Sequence, residues 1–290
     1  MMLDGGLATQ LEAQGCDINS ALWSAALLQS DPQAIIDAHH AYLEAGAECI
    51  ETASYQASRA GFSKLGLSND EADDLMRLLV VLAKRARDEL GSDVLIAASL
   101  SPYGATLHDG SEYTGDYDVS IDVLREIHTE RLSVFDNSDV DVLALETIPS
   151  LEEARVLAEL RRECVTPAWV SFSCKDQTHI RDGANISRVV SMFADHTNVL
   201  AVGVNCTPPQ FVPALIRRIR SVLPDTAIVA YPNSGETYNA SDNSWSGTVT
   251  PGDCAEAALG WVDAGASIVG GCCRMGPEHI KSMARQIGPQ

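Results

Sequence analysis

Three cysteines carry the clearest chemical signal in this sequence, because they follow two apolar segments. Cys206 follows the run 199–205, and the adjacent Cys272 and Cys273 follow the run 266–269 and two glycines. Neighbouring cysteines do not readily form a disulfide with each other, since that bond needs Cα atoms about 4.4–6.8 Å apart and a fixed dihedral angle. Three thiolates can instead bind Zn²⁺ and leave its fourth tetrahedral position open, which distinguishes a catalytic zinc from a structural one. A single buried cysteine usually acts as a small hydrophobic residue, but this combination favours a metal site.

A zinc ion held by three thiolates is a poor Lewis acid for hydrolysis, because the negative sulfurs offset much of its charge. It binds a fourth sulfur well. A substrate thiol bound there ionises near neutral pH and remains a nucleophile. The cysteine pattern therefore predicts alkyl transfer to a thiol.

Acidic residues and a glycine pair also lie where apolar segments end. Asp4 precedes Gly5-Gly6, Glu51 lies at the end of a predicted strand, and Glu146 directly follows the apolar run 140–145. These carboxylates could receive the ammonium group of an amino-acid substrate, while the two glycine amides could receive its carboxylate. Each acid could alternatively cap a helix or form a surface ion pair, and for Glu51 the two interpretations have equal weight. A thiol amino acid is the ligand that fits both the three cysteines and the group formed by the acids and the glycine pair.

Apolar segments and helical spacing alternate along the chain. The predicted strands cover residues 2–3, 48–52, 94–99, 140–145, 168–173, 199–205, 227–230 and 266–269. The predicted helices cover residues 31–43, 68–90, 120–135, 150–163, 185–196, 208–222 and 251–264, and a last helix begins at residue 277. Residues 102–117 are predicted to form a long loop and a candidate lid, and a polar loop is predicted from Tyr231 through Trp245.

Eight strands that alternate with eight helices are typical of a (β/α)8 TIM barrel. A doubly wound open sheet has the same alternation, and the pattern alone leaves closure of the sheet open. The polar residues favour the barrel, because they follow the predicted strands, at the end where barrel enzymes build their sites. A chain of 290 residues fits one such domain, which we expect to span residues 1–290.

The composition limits the partners and the location of the protein. Forty acidic residues against twenty basic ones give a formal charge of −20, which disfavours binding to nucleic acid or to an anionic membrane. The sequence contains neither a signal-peptide pattern nor an apolar run long enough to span a membrane. We expect a cytoplasmic protein, monomeric or a small homo-oligomer, whose cysteines serve metal binding or catalysis rather than disulfides. Buried packing is the expected role of Cys16, Cys49, Cys164, Cys174 and Cys254.

Six segments, in order along the chain, resemble the homocysteine S-methyltransferase family. They are Asp4-Gly5-Gly6, residues 51–58, residues 146–149, Gly203-Val204-Asn205-Cys206, residues 231–236 and Gly270-Gly271-Cys272-Cys273-Arg274. The resemblance extends from Asp4 to about Pro277, and the ordered set is specific although each segment alone is weak. It implies a zinc-dependent barrel that methylates homocysteine to methionine.

The resemblance also implies roles for individual residues. Cys206, Cys272 and Cys273 match the zinc ligands, and the positions that hold homocysteine are matched by Asp4, Gly5, Thr52 and Glu146, the last at the amine. The methyl donor is expected to be a sulfonium or ammonium compound, and aromatic residues that could contact such a cation are Tyr55, Tyr103, Tyr113 and Trp245. The chain resembles the compact members that use S-methylmethionine or S-adenosylmethionine, since it lacks the folate and cobalamin domains and the long C-terminal arm of other members.

Two other interpretations of the same residues remain open. The zinc could be structural or regulatory, as in a metal or thiol sensor on a barrel scaffold without turnover. The protein could instead be a barrel hydrolase or lyase in which Asp4 and Glu146 act as acid and base and the cysteines are incidental. Replacing Cys272 distinguishes these interpretations, because only the hydrolase or lyase keeps its activity without the thiol.

Overall fold

The computed structural model describes residues 1–18, 27, 28, 30–239, 244–246 and 249–288. Seven parallel strands form one sheet, in which they are hydrogen-bonded in the order of the chain. These strands are β1 (Cys49–Glu51), β2 (Leu95–Leu100), β3 (Val142–Ile148), β4 (Ala168–Phe172), β5 (Val199–Asn205), β6 (Ala227–Tyr231) and β9 (Ile268–Val269). A separate antiparallel pair consists of β7 (Thr237–Asn239) and β8 (Ser244–Ser246).

Helices separate the parallel strands along the chain, as the apolar spacing predicts. In the described residues they are Leu7–Ala13, Pro32–Glu44, Arg59–Ser63, Asn69–Glu89, Tyr103–Leu107, Ile121–Phe135, Leu151–Leu160, Ile186–Val190, Val212–Val222, Pro251–Ala264 and Pro277–Ile287. The predicted start of the fourth is confirmed, because Ser68 and Glu71 form a reciprocal capping box. Nowhere in the described part of the chain does a helix combine the length and apolar character needed to cross a membrane.

The segment Met1–Asp4 hydrogen-bonds to both edges of the seven-stranded sheet. On one side the Leu3 amide donates to the carbonyl of Val269 at 2.7 Å, and on the other the Asp4 amide donates to the carbonyl of Cys49 at 3.1 Å. Met2 pairs with Val269 and Leu3 with Cys49 as single parallel bridges. The predicted short first strand is therefore present as two bridging residues between β9 and β1.

Two groups of buried side chains flank the strands. The larger group packs the sheet against the apolar faces of the helices. The smaller one consists of alternate strand residues on the other face, namely Leu3, Cys49, Ala97, Val142, Ala144, Trp169, Ala201, Val229 and Tyr231. All residues of β3 and β4 are buried, which explains their continuous apolar sequences.

Several local predictions need correction. The predicted loop 102–117 contains the helix Tyr103–Leu107 and a 3₁₀ turn over Ser111–Tyr113, and the predicted helix 185–196 is a helix over Ile186–Val190 followed by a 3₁₀ turn. The predicted polar loop after β6 contains the β7–β8 pair. Position 245 lies in β8, but its side chain is outside the described residues.

The cysteines outside the predicted metal site differ in burial. Cys49, Cys174 and Cys254 are buried, as predicted, whereas Cys16 and Cys164 pack against the core but are only half-buried. All eight cysteines are free thiols.

Candidate metal centre and substrate pocket

A cavity of about 290 Å³ lies at the carboxyl ends of the parallel strands. Residues that end or follow β1, β2, β3, β5, β6 and β9 line it. From these strands the lining includes Glu51, Thr52, Ser99, Glu146, Thr147, Cys206, Tyr231, Cys272 and Cys273. The fold therefore brings the strand-end polar residues into one pocket.

The three predicted ligand cysteines lie together in this cavity. Their sulfurs are all within 4.8 Å of one another, with 3.8 Å between Cys206 Sγ and Cys273 Sγ and 3.9 Å between Cys272 Sγ and Cys273 Sγ. A tetrahedral zinc with Zn–S bonds of about 2.3 Å places its sulfurs roughly 3.8 Å apart. The two measured sulfur–sulfur distances thus match those of a tetrahedral zinc site.

Backbone hydrogen bonds between the loops hold the thiols in place. The Cys206 amide donates to the carbonyl of Tyr231 at 3.3 Å, and the Cys272 amide donates to the carbonyl of Pro232 at 2.9 Å. The Gly271 amide donates to the carbonyl of Asp4 at 3.0 Å. Cys206 has a φ of 45°, a left-handed conformation that is unfavourable for a residue other than glycine. The loops after β5, β6 and β9 and the N-terminal segment therefore position the cluster jointly.

The thiols influence one another's ionisation. Hydrogen bonds from Cys206 and Cys272 lower the pKa of Cys273 well below its usual range, whereas hydrogen bonds with Cys206 and Cys273 raise the pKa of Cys272. Negative charge on one sulfur therefore opposes charge on its neighbours. A cation among the three sulfurs is needed for all of them to be thiolates together.

Two of the predicted acids, Glu51 and Glu146, line the cavity, whereas Asp4 is buried behind Glu51 and does not line it. Asp4 Oδ2 accepts a hydrogen bond from the Glu51 amide at 2.8 Å, and Glu146 Oε1 accepts one from Ser99 Oγ at 2.5 Å. Burial raises the pKa of Glu146 to about 7. It also raises the pKa values of Asp4 and Glu51 well above their usual range, and the charge of Glu146 adds to both shifts. This cluster is suited to a positively charged group, because a cation relieves the repulsion between the acids.

Thr52 and the glycine pair shape the pocket through backbone contacts. Thr52 Oγ1 accepts a hydrogen bond from the Ser99 amide at 3.2 Å and lies 2.6 Å from Ser54 Oγ. The Gly6 amide donates to the carbonyl of Met275 at 3.0 Å, so the prediction that it receives a substrate carboxylate was wrong for Gly6. A Cβ atom at Gly5 would lie 2.1 Å from the same carbonyl oxygen, and this close approach requires glycine.

Asn205 links the carboxylates to the thiols, and the sequence analysis did not single out its side chain. Its Nδ2 donates to Glu146 Oε2 at 3.2 Å and to Thr147 Oγ1 at 2.8 Å, while its Oδ1 accepts from the Thr147 amide at 2.7 Å. The signal that could have revealed it is an amide at the buried end of an apolar strand, directly before Cys206. Asn205 fixes the relative positions of the β3 and β5 ends.

The segment 102–117 contributes two residues to the pocket, Glu112 and Tyr113. Tyr55 also lines the cavity, whereas Tyr103 does not and packs edge-to-face on Tyr117 with ring centroids 5.3 Å apart. Of the three aromatic candidates whose side chains the structure describes, Tyr55 and Tyr113 therefore reach the pocket. Glu112 was missed because it lies in an irregular segment with no strand or helix periodicity.

The fold and the site together define an α/β protein with a three-thiol centre at the carboxyl ends of its parallel strands. A model of the homocysteine S-methyltransferase family matches residues 1–287, and the chain belongs to this family. It is therefore a methyltransferase.

Known proteins resemble the chain over nearly its whole length. Homocysteine S-methyltransferase YbgG of Bacillus subtilis is 43% identical over 98% of this chain and 93% of its own length. Homocysteine S-methyltransferase 1 of Brassica oleracea var. italica is 42% identical over 99% of this chain and 93% of its own length. The metallated form of the homocysteine methyltransferase MmuM from Escherichia coli superposes with a TM-score of 0.87 at 36% identity, covering 99% of this chain and 96% of that one.

Proposed function

We propose that this protein transfers a methyl group from a sulfonium donor, S-methylmethionine or S-adenosylmethionine, to the sulfur of L-homocysteine, giving methionine. We propose further that the site holds Zn²⁺ through Cys206, Cys272 and Cys273. The observation that carries this proposal is the spacing of the three sulfurs, 3.8 and 3.9 Å for the two measured pairs. The metallated form of MmuM, to which the chain is similar, supports a metal in this family.

Zinc, when bound, supplies an open fourth position at which a substrate thiol ionises near neutral pH and stays nucleophilic. The protein's own residues hold the rest of the substrate. Glu146, with Asp4 beside it, binds the ammonium group of homocysteine, while the Gly5 amide binds its carboxylate. Thr52 holds the β1 and β2 ends in register through its hydrogen bonds, so that the acids and the thiols face one cavity.

Methyl transfer proceeds as one in-line displacement. A lone pair of the homocysteine sulfur forms the new S–CH₃ bond while the bond between that carbon and the donor sulfur breaks. The electron pair of the broken bond remains on the donor sulfur, which becomes a neutral thioether. No covalent enzyme intermediate is needed, and the role of the protein is to align the three atoms.

We also propose a closed (β/α)8 barrel formed as one domain from residues 1–290. The support is the Met1–Asp4 segment, whose hydrogen bonds to β9 and to β1 connect the two edges of the seven-stranded sheet. In this arrangement the segment takes the place of the first of eight strands. Closure matters for function because it brings Asp4 next to both Glu51 and Gly271.

Replacing Cys272 with serine tests the proposed function. The matched control is Cys254→Ser, which alters another buried free thiol outside the cavity. We expect about one zinc per chain in the reduced wild type and in the control, with methionine formed from homocysteine and either sulfonium donor. Cys272→Ser should lose both zinc and turnover while its thermal unfolding remains cooperative. Zinc without methionine from any sulfonium donor would favour the sensor, and activity retained in Cys272→Ser would favour the hydrolase or lyase.

A further inference from the structure

Glu112 is a buried acid in the pocket without a partner for one of its oxygens. It lies in the 3₁₀ turn Ser111–Tyr113, is 8% exposed and lines the cavity. Within the described chain, nothing hydrogen-bonds to its Oε2. The Glu112 backbone amide hydrogen-bonds to the carboxylate, but a buried carboxylate oxygen that lacks a partner is costly, so its position calls for a functional explanation.

Glu112 lies next to the thiols and differs from Glu146 in its hydrogen bonding. Its neighbour in the 3₁₀ turn, Tyr113, hydrogen-bonds to Cys273 through its side chain, and Tyr55 lines the same cavity. Both oxygens of Glu146 accept hydrogen bonds from protein groups, whereas Glu112 Oε2 has no such partner among the described residues. Glu112 therefore offers a free carboxylate oxygen on the side of the pocket that holds the thiols and the two tyrosines.

Arginines that border this region donate to acceptors other than Glu112. Arg131 donates to the carbonyls of Ser101 at 2.7 Å and Tyr55 at 2.9 Å. Arg274 donates to Glu236 Oε2 at 2.9 Å. Neither is paired with Glu112 among the described contacts, and Arg181, beside the thiols, donates to the Cys206 carbonyl at 3.3 Å. The Glu112 carboxylate is therefore available to a cationic ligand.

We propose that Glu112 is the counter-ion of the methyl donor, holding the positive sulfonium centre beside the Tyr55 and Tyr113 rings and so selecting cationic donors over neutral ones. This inference rests on the proposed methyl transfer. For in-line transfer, the methyl carbon must lie between the donor sulfur and the homocysteine sulfur, so the sulfonium centre must bind close to the thiol cluster. A carboxylate and two aromatic faces near that cluster are the groups that recognise such a cation.

The loss of the sulfonium charge during the reaction determines how Glu112 affects KM and kcat. The sulfonium charge disappears as the methyl group moves, so a carboxylate beside it stabilises the bound donor more than the transition state. Such an interaction lowers the donor KM without raising kcat. The loss of one charged partner weakens the binding of a ligand roughly 10- to 100-fold. We therefore expect Glu112→Gln to raise the donor KM by about this factor, with kcat unchanged or slightly increased and the homocysteine KM unchanged.

The experiment compares wild type, Glu112→Gln and the control Asp116→Asn, which removes the same charge from an exposed position of the same segment. The donors are S-methylmethionine, trimethylsulfonium, which has a sulfonium centre but no ammonium group, and the neutral reagent methyl p-toluenesulfonate. Glu112→Gln should raise KM for both cationic donors and leave the rate with the neutral reagent at the wild-type value. The control should match the wild type with all three.

Three results would overturn the inference. A KM that rises for S-methylmethionine but not for trimethylsulfonium would assign Glu112 to the ammonium group of the donor. An equal loss with the neutral reagent would indicate that Glu112 only maintains the fold of the segment. A change in the homocysteine KM alone would place Glu112 at the acceptor. A wild type that makes no methionine from either cationic donor would instead contradict the proposed function itself.

Discussion

Replacing Glu153 with alanine should both destabilise the protein and weaken donor binding. The Glu153 side chain is fully buried and joins three groups, accepting from the Tyr103 amide at 2.6 Å and from Tyr117 Oη at 3.1 Å and lying 2.7 Å from His128 Nε2. Tyr103 and Tyr117 stand at the two ends of the segment that contains Glu112. Glu153 is thus a positioning residue that holds both ends of this segment.

The magnitude follows from the groups that alanine would leave unsatisfied. Each of the three buried groups that loses its partner costs about 1–3 kcal/mol, and the three losses are less than additive because the groups share one carboxylate. We therefore expect the free energy of unfolding of Glu153→Ala to fall by about 3–5 kcal/mol. Glu153→Gln, which keeps an acceptor for Tyr103, should lose less.

Urea denaturation measures this change, and Glu152→Ala is the matched control. Glu152 is the neighbouring acid, is 53% exposed and pairs with Arg155 on the surface, so its loss should cost at most about 1 kcal/mol. The donor KM of Glu153→Gln should rise while the homocysteine KM stays constant. A destabilisation by Glu153→Ala no larger than that of the control, or a donor KM unaffected in Glu153→Gln, would refute this reasoning.

Two further predictions concern single acids of the pocket. Glu146→Gln should raise the homocysteine KM roughly 10- to 100-fold, because the ammonium group loses a charged partner; steady-state kinetics that show a higher donor KM instead would contradict this. Burial raises the pKa of Glu112 from 4.5 to about 7, so between these values the folded protein binds a proton that the unfolded chain has lost. The contribution of Glu112 to stability is therefore present below about pH 4.5 and is lost as the pH rises to about 7. The unfolding free energies of wild type and Glu112→Gln are compared in the metal-free protein without substrate. The difference, wild type minus variant, should fall by up to about 3 kcal/mol as the pH rises from about 4.5 to about 7. A difference that does not depend on pH would contradict the raised pKa of Glu112.

The thiol cluster could be predicted from the sequence because the information it needs is local. Cys206 and Cys272 each come after an apolar run that reads as a buried strand, and the carboxyl ends of parallel strands meet at one edge of a sheet. The same argument placed Glu146 in the pocket. The strands and their terminal residues can therefore be predicted from the sequence without any interatomic distance.

Contacts between elements distant in sequence could not be predicted in this way. The hydrogen bonds of Asn205 to Glu146 and Thr147 depend on how β3 is aligned with β5. These two strands are not adjacent, because β4 lies between them. Glu112 lies in a segment whose two short helical turns have no apolar periodicity. The contacts of Glu153 with Tyr103 and Tyr117, which hold the two ends of that segment, join residues distant in sequence. Burial of Cys16 and Cys164 was overestimated because an isolated cysteine carries no pattern that reports its depth.

The central claim is that three thiols hold a zinc ion whose fourth position receives the sulfur of homocysteine. X-ray absorption at the zinc edge tests it directly on the reduced protein. The account predicts three sulfur neighbours at about 2.3 Å before substrate is added and a fourth sulfur at a similar distance with homocysteine bound. Zinc with fewer than three sulfur neighbours, or a sulfur count that homocysteine leaves unchanged, would contradict it.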